Sequence, residues 1–251
     1  MLKKVTQILT LSLCMIAMIP MLQVHAAEKS KTVNSQAEFK EALADDTITT
    51  IVLGKDIETT EKINIMRPVT IDGRGHTMKY VGKFGSSQSS DNTVWGGIYV
   101  LQVYKTEATI RNIKLTGGNG GLLINGAKVK LEGTIDVSGN GFGGIELGQG
   151  SGVDSVAHII LTDDTKLVNT TETPDKPTLW VPKDSTGSIL EVNGVKQELQ
   201  PLEELTIQEM ETLFTPAENP ETSDSIISYI ILGIISICTF LFASKKVIRE
   251  K

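Results

Sequence analysis

The chain has 251 residues, a formal charge of −6, 40% hydrophobic residues and only 5% aromatic residues. That length holds one sizeable domain plus short targeting segments. Residues 27–222 carry 18 Lys+Arg against 28 Asp+Glu, a charge of −10, which excludes a nucleic-acid binder because such proteins need a basic face.

The chain opens with Lys3 and Lys4, an apolar centre from Val5 to Met18, and Val24-His25-Ala26. This order predicts a secretory signal over 1–26, cut between Ala26 and Ala27. A lipoprotein signal competes at Cys14, but Leu13 stands where a small residue is needed. The other cysteine, Cys238, also lies in an apolar terminal segment. No disulfide and no thiolate metal site is therefore expected in the exported part.

Residues 27–34 read as a polar leader. Ser35 and Glu38 form a capping-box pattern, which predicts a short helix with Ala37, Phe39, Ala42 and Leu43 on its apolar side. Then the period changes to two. Ile63 and Ile65 alternate with polar residues, as do Val69 and Ile71, so these are strands with one buried face. Pro68 ends the first run. Asp72-Gly73 and Gly75 supply a turn before Thr77, Met78 and Tyr80 restart the strand.

Strands this short cannot bury a core alone and need stacked copies. The copies are expected at 48–57, 63–81, 98–115, 122–137, 145–168 and 179–192. Gly120-Gly121 and Gly143-Gly144, followed by Leu122 and Ile145, lie 23 residues apart, the length of one turn of a solenoid. The fold class expected is all-β, a small parallel solenoid over 27–195, with the Ser35 helix closing its first end. Residues 83–97 read as a loop leaving the stack, 169–178 as a second loop, and 196–218 as a stalk with a turn or two of helix at Leu205–Phe214.

Chemistry is sparse. Asp72, Arg74 and Arg111 would form a site if the coils align them. Asp163-Asp164 reads as a turn rather than a glycosidase pair, because adjacent strand residues face opposite ways. His76 and His158 carry no motif. Gly117-Gly118-Asn119-Gly120 resembles a calcium-binding repeat but has Leu122 where the anionic ligand belongs. No cofactor and no metal is expected. Phe84, Trp95, Tyr99 and Tyr104 cluster around the long loop and are candidate ligand-binding aromatics, Trp95 foremost, for a polysaccharide or a host or cell-surface partner.

The tail carries Asn219-Pro220-Glu221-Thr222-Ser223, an apolar run from Ile226 to Ala243, and Lys245, Lys246, Arg249 and Lys251. The order predicts a membrane span over 226–244 with the basic end in the cytoplasm. Motif, apolar helix and basic tail together resemble a cell-wall sorting signal of the Asn-Pro-x-Thr type. The resemblance implies a sortase as partner, cleavage after Thr222, and attachment to peptidoglycan.

A second resemblance lies in Val33–Tyr80. Phe39, Ala42-Leu43, Ile51-Val52-Leu53, Asp56-Ile57, Ile63, Ile65, Arg67 and Thr70-Ile71-Asp72-Gly73-x-Gly75-His76-Thr77 resemble the opening of the pectate lyase-like adhesive domains of Gram-positive surface proteins. The resemblance implies a right-handed β-helix and display at the cell surface as an adhesin. It does not by itself imply lyase activity, so a surface-anchored polysaccharide lyase and a non-specific spacer stay open beside the adhesin.

Overall fold

The computed structural model describes residues 29–83, 98–150 and 152–214. The segments read as signal peptide, sorting motif and membrane span lie outside these residues, and no helix within them is long and apolar enough to cross a membrane. The chain divides into a unit ending at Glu211 and a C-terminal unit starting at Thr212, of which 212–214 are described.

In chain order the elements are β1 (Ser30–Val33), α1 (Gln36–Ala44), β2 (Thr50–Leu53), β3 (Ile57–Thr59), β4 (Ile63–Ile65), β5 (Val69–Asp72), β6 (Thr77–Tyr80), β7 (Tyr99–Tyr104) and β8 (Glu107–Thr116). They continue with β9 (Gly120–Asn125), β10 (Lys128–Asp136), β11 (Gly143–Gly148), β12 (His158–Leu161), β13 (Lys166–Val168), β14 (Leu179–Trp180), β15 (Ser188–Val192), β16 (Val195–Leu199), β17 (Glu204–Leu205) and α2 (Ile207–Phe214). The fold is mostly β, and its strands pair chiefly in parallel in two sheets.

The first sheet runs β1-β2-β5-β8-β10-β12-β15-β16, with β3, β6 and β13 beside this path, and the second runs β4-β7-β9-β11-β14-β17. From β4 to β15 the chain alternates between the sheets, and each pass lays a new parallel strand on each of them. Gly120 and Gly143 are register partners, as the 23-residue spacing predicts.

Period two decides which side chains meet. In the first sheet Ile51, Ile71, Ile110 and Leu131 fall in one register row, all fully buried. In the second sheet Ile63, Leu101, Leu122, Ile145 and Leu179 do the same. Each such side chain contributes about 1.5–3 kcal/mol on burial. Stacking identical apolar types at the strand spacing of about 4.8 Å therefore replaces the core that no single pass could form.

The Ser35 helix forms as predicted. The Glu38 N–H donates to Ser35 Oγ at 3.2 Å. The Glu38 carboxylate, however, accepts from the Asn34 N–H at 2.7 Å, one residue before the position a capping box uses. Phe39 and Ala42 are buried, and α1 packs on β1, β2 and β3. Arg67 fastens the end of α1. Its guanidinium donates to the carbonyls of Ala42, Leu43 and Ile48, each at 2.8 Å, and of Asp45 at 3.0 Å. Carbonyls at a helix C-terminus lack intrahelical partners, so the guanidinium supplies what the helix cannot.

The bend between β5 and β6 is repeated in later passes. Arg74, Gly75, Asn112 and Gly133 all adopt positive φ. The Gly75 N–H donates to the Asn112 carbonyl at 2.6 Å, and Asn112 Oδ1 accepts from the Thr134 N–H at 3.2 Å. Gly133 suits its φ of 61°, and a Cβ there would lie 2.1 Å from Asn112 Oδ1 and force the Asn112 side chain out of its hydrogen bond. On the other side Asn140 is buried and donates to the carbonyls of Leu115 and Val137 while accepting from the Gly118 N–H.

Two segments carry more structure than their composition suggested. Ser30–Val33, in the polar leader, pairs in parallel with Thr50–Leu53. Residues 195–214, read mostly as stalk, hold β16, antiparallel to β15, then β17, antiparallel to β14, and α2. Leu199, Leu205 and Met210 are their buried residues.

Candidate functional site

On the outer side of the first sheet, parallel register converts sequence charge into ladders. Asp72, Arg111 and Glu132 are register partners across β5, β8 and β10. Arg111 Nε lies 3.1 Å from Asp72 Oδ2, and its Nη1 lies 3.9 Å from Glu132 Oε2. Lys130 Nζ approaches Glu132 at 2.7 Å. One step along, Lys114 Nζ lies 2.9 Å from Asp136 Oδ2. Asp136 titrates below the usual carboxylate range. Burial works to raise it, but hydrogen bonds from Ser138 and Lys114 outweigh that. A shallow groove of ≈ 560 Å³ follows these ladders, lined by Asp72, Arg74, Asn112, Lys114, Thr134 and Asp136.

The alignment asked of Asp72, Arg74 and Arg111 is thus partly realised. Asp72 and Arg111 meet, while Arg74 reaches Asp72 through its backbone N–H at 2.9 Å. Arg111 and Lys114 are held by the carboxylates beside them, an arrangement that favours a solvated, mutually neutralised face over a proton-abstracting base. Among the described residues no group of three or more His, Cys, Asp or Glu is placed to hold a metal ion. Asp163-Asp164 lies in a turn in which the Thr162 hydroxyl donates to Asp164 and the Thr165 N–H to the Thr162 carbonyl. His76 Nδ1 lies 3.4 Å from Asp56, and His158 Nε2 lies 2.9 Å from Glu191. Burial holds the His158 imidazole below its usual pKa despite that carboxylate.

The second sheet holds a different cluster. Between the inward Ile145 and Leu147, Glu146 faces the other way, in a register row with Gln102, Leu123 and Trp180. Its carboxylate accepts a hydrogen bond from the Tyr99 hydroxyl. Burial pushes the carboxyl up to about 7, against hydrogen bonds from Tyr99 and Trp180 and the charge of Lys62. Lys62 Nζ donates to Gln102 Oε1 at 2.7 Å. Glu146 is 4% exposed; the Tyr99 hydroxyl gives its one well-formed hydrogen bond, and the Trp180 N–H acts on the carboxylate at looser geometry, leaving Oε1 without a partner of normal geometry.

Of the four candidate aromatics, Phe84 and Trp95 lie outside the described residues, as do Ala26, Ala27 and Asn219–Ser223. Tyr99 is 2% exposed and serves Glu146. Tyr104 is half-buried, with Lys105 Nζ 5.4 Å from its ring centroid. Glu146 and Trp180 were not singled out from the sequence. The available signal was an acidic residue inside the apolar strand Gly143–Gly148, which by alternation reads as an ordinary solvent-facing position.

Parallel strands stacked in two sheets, with charged ladders outside and apolar rows inside, define the class as a mostly parallel-β module. Residues 30–143, a little under half of the chain, match the family model of the pectate lyase-like adhesive domain. No curated protein and no solved structure matches the chain. The family match suggests an adhesive function and an extracellular surface location.

Proposed function

We propose that this protein is an exported adhesin, built on a small right-handed β-helix and fixed to the cell wall through its C-terminal tail. The observation that carries the reading is the adhesive-domain match over residues 30–143, coinciding with the parallel stack from β1 to the start of β11. Passes of 21 and 23 residues between Leu101, Leu122 and Ile145 support the solenoid. Short strands joined by tight bends place long rows of side chains outside, suited to contact with an extended partner such as a polysaccharide or another cell's surface.

Export and anchoring rest on the sequence. A charged start and apolar centre precede Ala26-Ala27, and Asn219–Ser223, an apolar run and a basic tail follow the domain in that order. Sortase would recognise the pentapeptide, cleave after Thr222 and join the Thr222 carbonyl to a wall amine. The span 226–244 would hold the chain in the membrane until then. Mass spectrometry of C-terminal peptides from purified walls tests this. A peptide ending at Thr222 and bearing a wall-derived amine is the expected result, and an intact tail recovered only from membranes would overturn it.

Adhesion is tested by displaying the chain on a non-adherent host cell. Gain of adherence to polysaccharide-coated or cell-coated surfaces is expected, and none on any surface would favour a spacer. The meeting of Asp72 and Arg111 keeps a surface lyase as the second reading. Release of unsaturated sugar products with added Ca²⁺ would establish it.

A further inference from the structure

We infer that the groove at the bend of the first sheet binds an anionic glycan, with a carboxylate or sulfate of one sugar unit held by the Arg74 guanidinium. The site deepens the adhesive reading and rests on it only for what the binding would serve.

The groove follows from unequal bends. One register row holds Asp72, Arg111 and Glu132, and the next holds Thr77, Lys114 and Asp136. Between these rows the successive passes carry four residues (73–76), two (112–113) and three (133–135). The shortest bend thus lies between two longer ones. Asn112 forms the floor, with Arg74 and Gly75 on one side and Thr134 on the other. The volume of ≈ 560 Å³ is more than a lone small anion fills and lies within the range of small-ligand sites.

The groove offers donors. Asp72 accepts the Arg74 N–H on one oxygen and Arg111 on the other. Asp136 likewise accepts the Ser138 N–H and Lys114. Both carboxylates are mostly covered, at 15% and 22% exposure, while Lys114 is 39% exposed and keeps ammonium protons beyond the one given to Asp136. Asn112 Oδ1 accepts the Thr134 N–H, which leaves its amide nitrogen to donate. Arg74 departs from this pairing. Its side chain is exposed, and among the described residues it meets no carboxylate and no carbonyl. Its backbone stands at φ 49°, where Asn112 and Gly133 of the later bends are at ease and an arginine is not. A strained backbone beneath an unpartnered cation gives the fold no compensating contact, so a ligand accounts for the side chain.

The donors select the ligand. A guanidinium fork matches the paired oxygens of a carboxylate or of a tetrahedral oxyanion such as sulfate. The N–H groups of Gly73, Gly75, His76 and Lys114 already donate to backbone carbonyls, so an acidic peptide finds no main chain here to pair with. A glycan needs none, because its hydroxyls can meet Thr77, Thr134 and the Asn112 amide along the same groove.

The test is calorimetric titration of the purified full-length chain with four probes. They are a hyaluronan hexasaccharide, which carries carboxylates alone, a heparin hexasaccharide, which adds sulfates, neutral chitohexaose, and hexaglutamate. Saturable binding of at least one anionic hexasaccharide is expected, weakening as salt is raised, with chitohexaose weaker by about tenfold or more. Saturation by hyaluronan assigns the site to a uronate, and saturation by heparin alone assigns it to a sulfate. Arg74→Gly suits the turn and removes the guanidinium, so Tm should hold or rise while affinity falls by about tenfold or more. Arg74→Lys should keep part of the affinity. The inference falls if neither anionic hexasaccharide saturates, if chitohexaose or hexaglutamate binds as well, or if Arg74→Gly binds as the parent does. Saturation that is lost in Arg74→Gly, with no adherence of displaying cells on any surface, would uphold the site and overturn the adhesive reading. Adherence without saturation would do the reverse.

Discussion

Replacing Glu146 by Gln should make the protein's stability less sensitive to pH. The carboxyl has an ordinary pKa of 4.5 and is raised to about 7 in the fold. Between those values the folded state holds a proton that the unfolded state has lost. Stability from this group is therefore fully present below about pH 4.5, falls as pH rises, and is gone above about 7. The shift corresponds to about 3 kcal/mol as an upper limit. For a chain of this size that is a Tm loss of about 6–12 °C across the window.

Other groups titrate nearby, so the difference between parent and variant is the quantity to measure. His158, whose pKa is lowered, works in the opposite sense. Its neutral form suits the fold, so it adds stability as pH rises toward 6.5. Glu203, raised by burial, acts in the same direction as Glu146. Asp136, Asp45 and Glu61 are lowered and change stability below the window. All of these cancel between parent and Glu146→Gln. Calorimetric scans from pH 4.5 to 8 should show the parent losing several degrees relative to the variant as pH rises. Parallel curves would mean that Glu146 is ionised and well solvated in the fold, and the description of its surroundings would be wrong.

Substitutions at three further positions test the stack itself. Ile71→Asp would place a carboxylate between Ile51 and Ile110 in a fully buried row, and chemical denaturation should show a loss of about 4 kcal/mol or failure to fold. Arg67→Ala removes the guanidinium from four carbonyls at and just past the end of α1, of which only that of Asp45 keeps another donor, the Ile48 N–H, and should cost about 2–4 kcal/mol with faster amide exchange across α1 and little elsewhere. Arg67→Lys should recover only part, since one ammonium cannot span the same fork. Asn140→Ala removes two donors and one acceptor from a buried corner, and its loss of about 2–3 kcal/mol would appear as a lowered denaturation midpoint.

Much of the stack was legible because it rests on short-range rules. Ile63, Ile65, Val69 and Ile71 announce their buried face by alternation alone, and the glycine pairs at 120 and 143 reveal register because a repeat must return to the same corner. Ser35 marks a helix start from side-chain chemistry that needs no tertiary context. Arg67 could be picked out by resemblance, but its function as a clamp depends on carbonyls some twenty residues away. Ser30–Val33 escaped notice because an end strand buries only Val33, so it shows no alternation. Val195–Leu199 was missed for the same reason, with Leu199 alone buried. Glu146 marks a further limit. Alternation tells which side of a sheet a residue faces, but not whether neighbouring side chains such as Tyr99 then cover it.

The last strands of both sheets reverse direction. β16 runs against β15, and β17 against β14. A chain built of interchangeable parallel layers has an inherent hazard, since its final layer offers the same template as every earlier one and a second molecule's first strand could continue it. Reversal breaks that equivalence. An incoming β1 would meet an antiparallel hydrogen-bond pattern in place of the parallel one it makes with β2. The Arg67-fastened helix guards the opposite end. The direction of two short strands thus opposes the end-to-end continuation of the stack from one copy into the next.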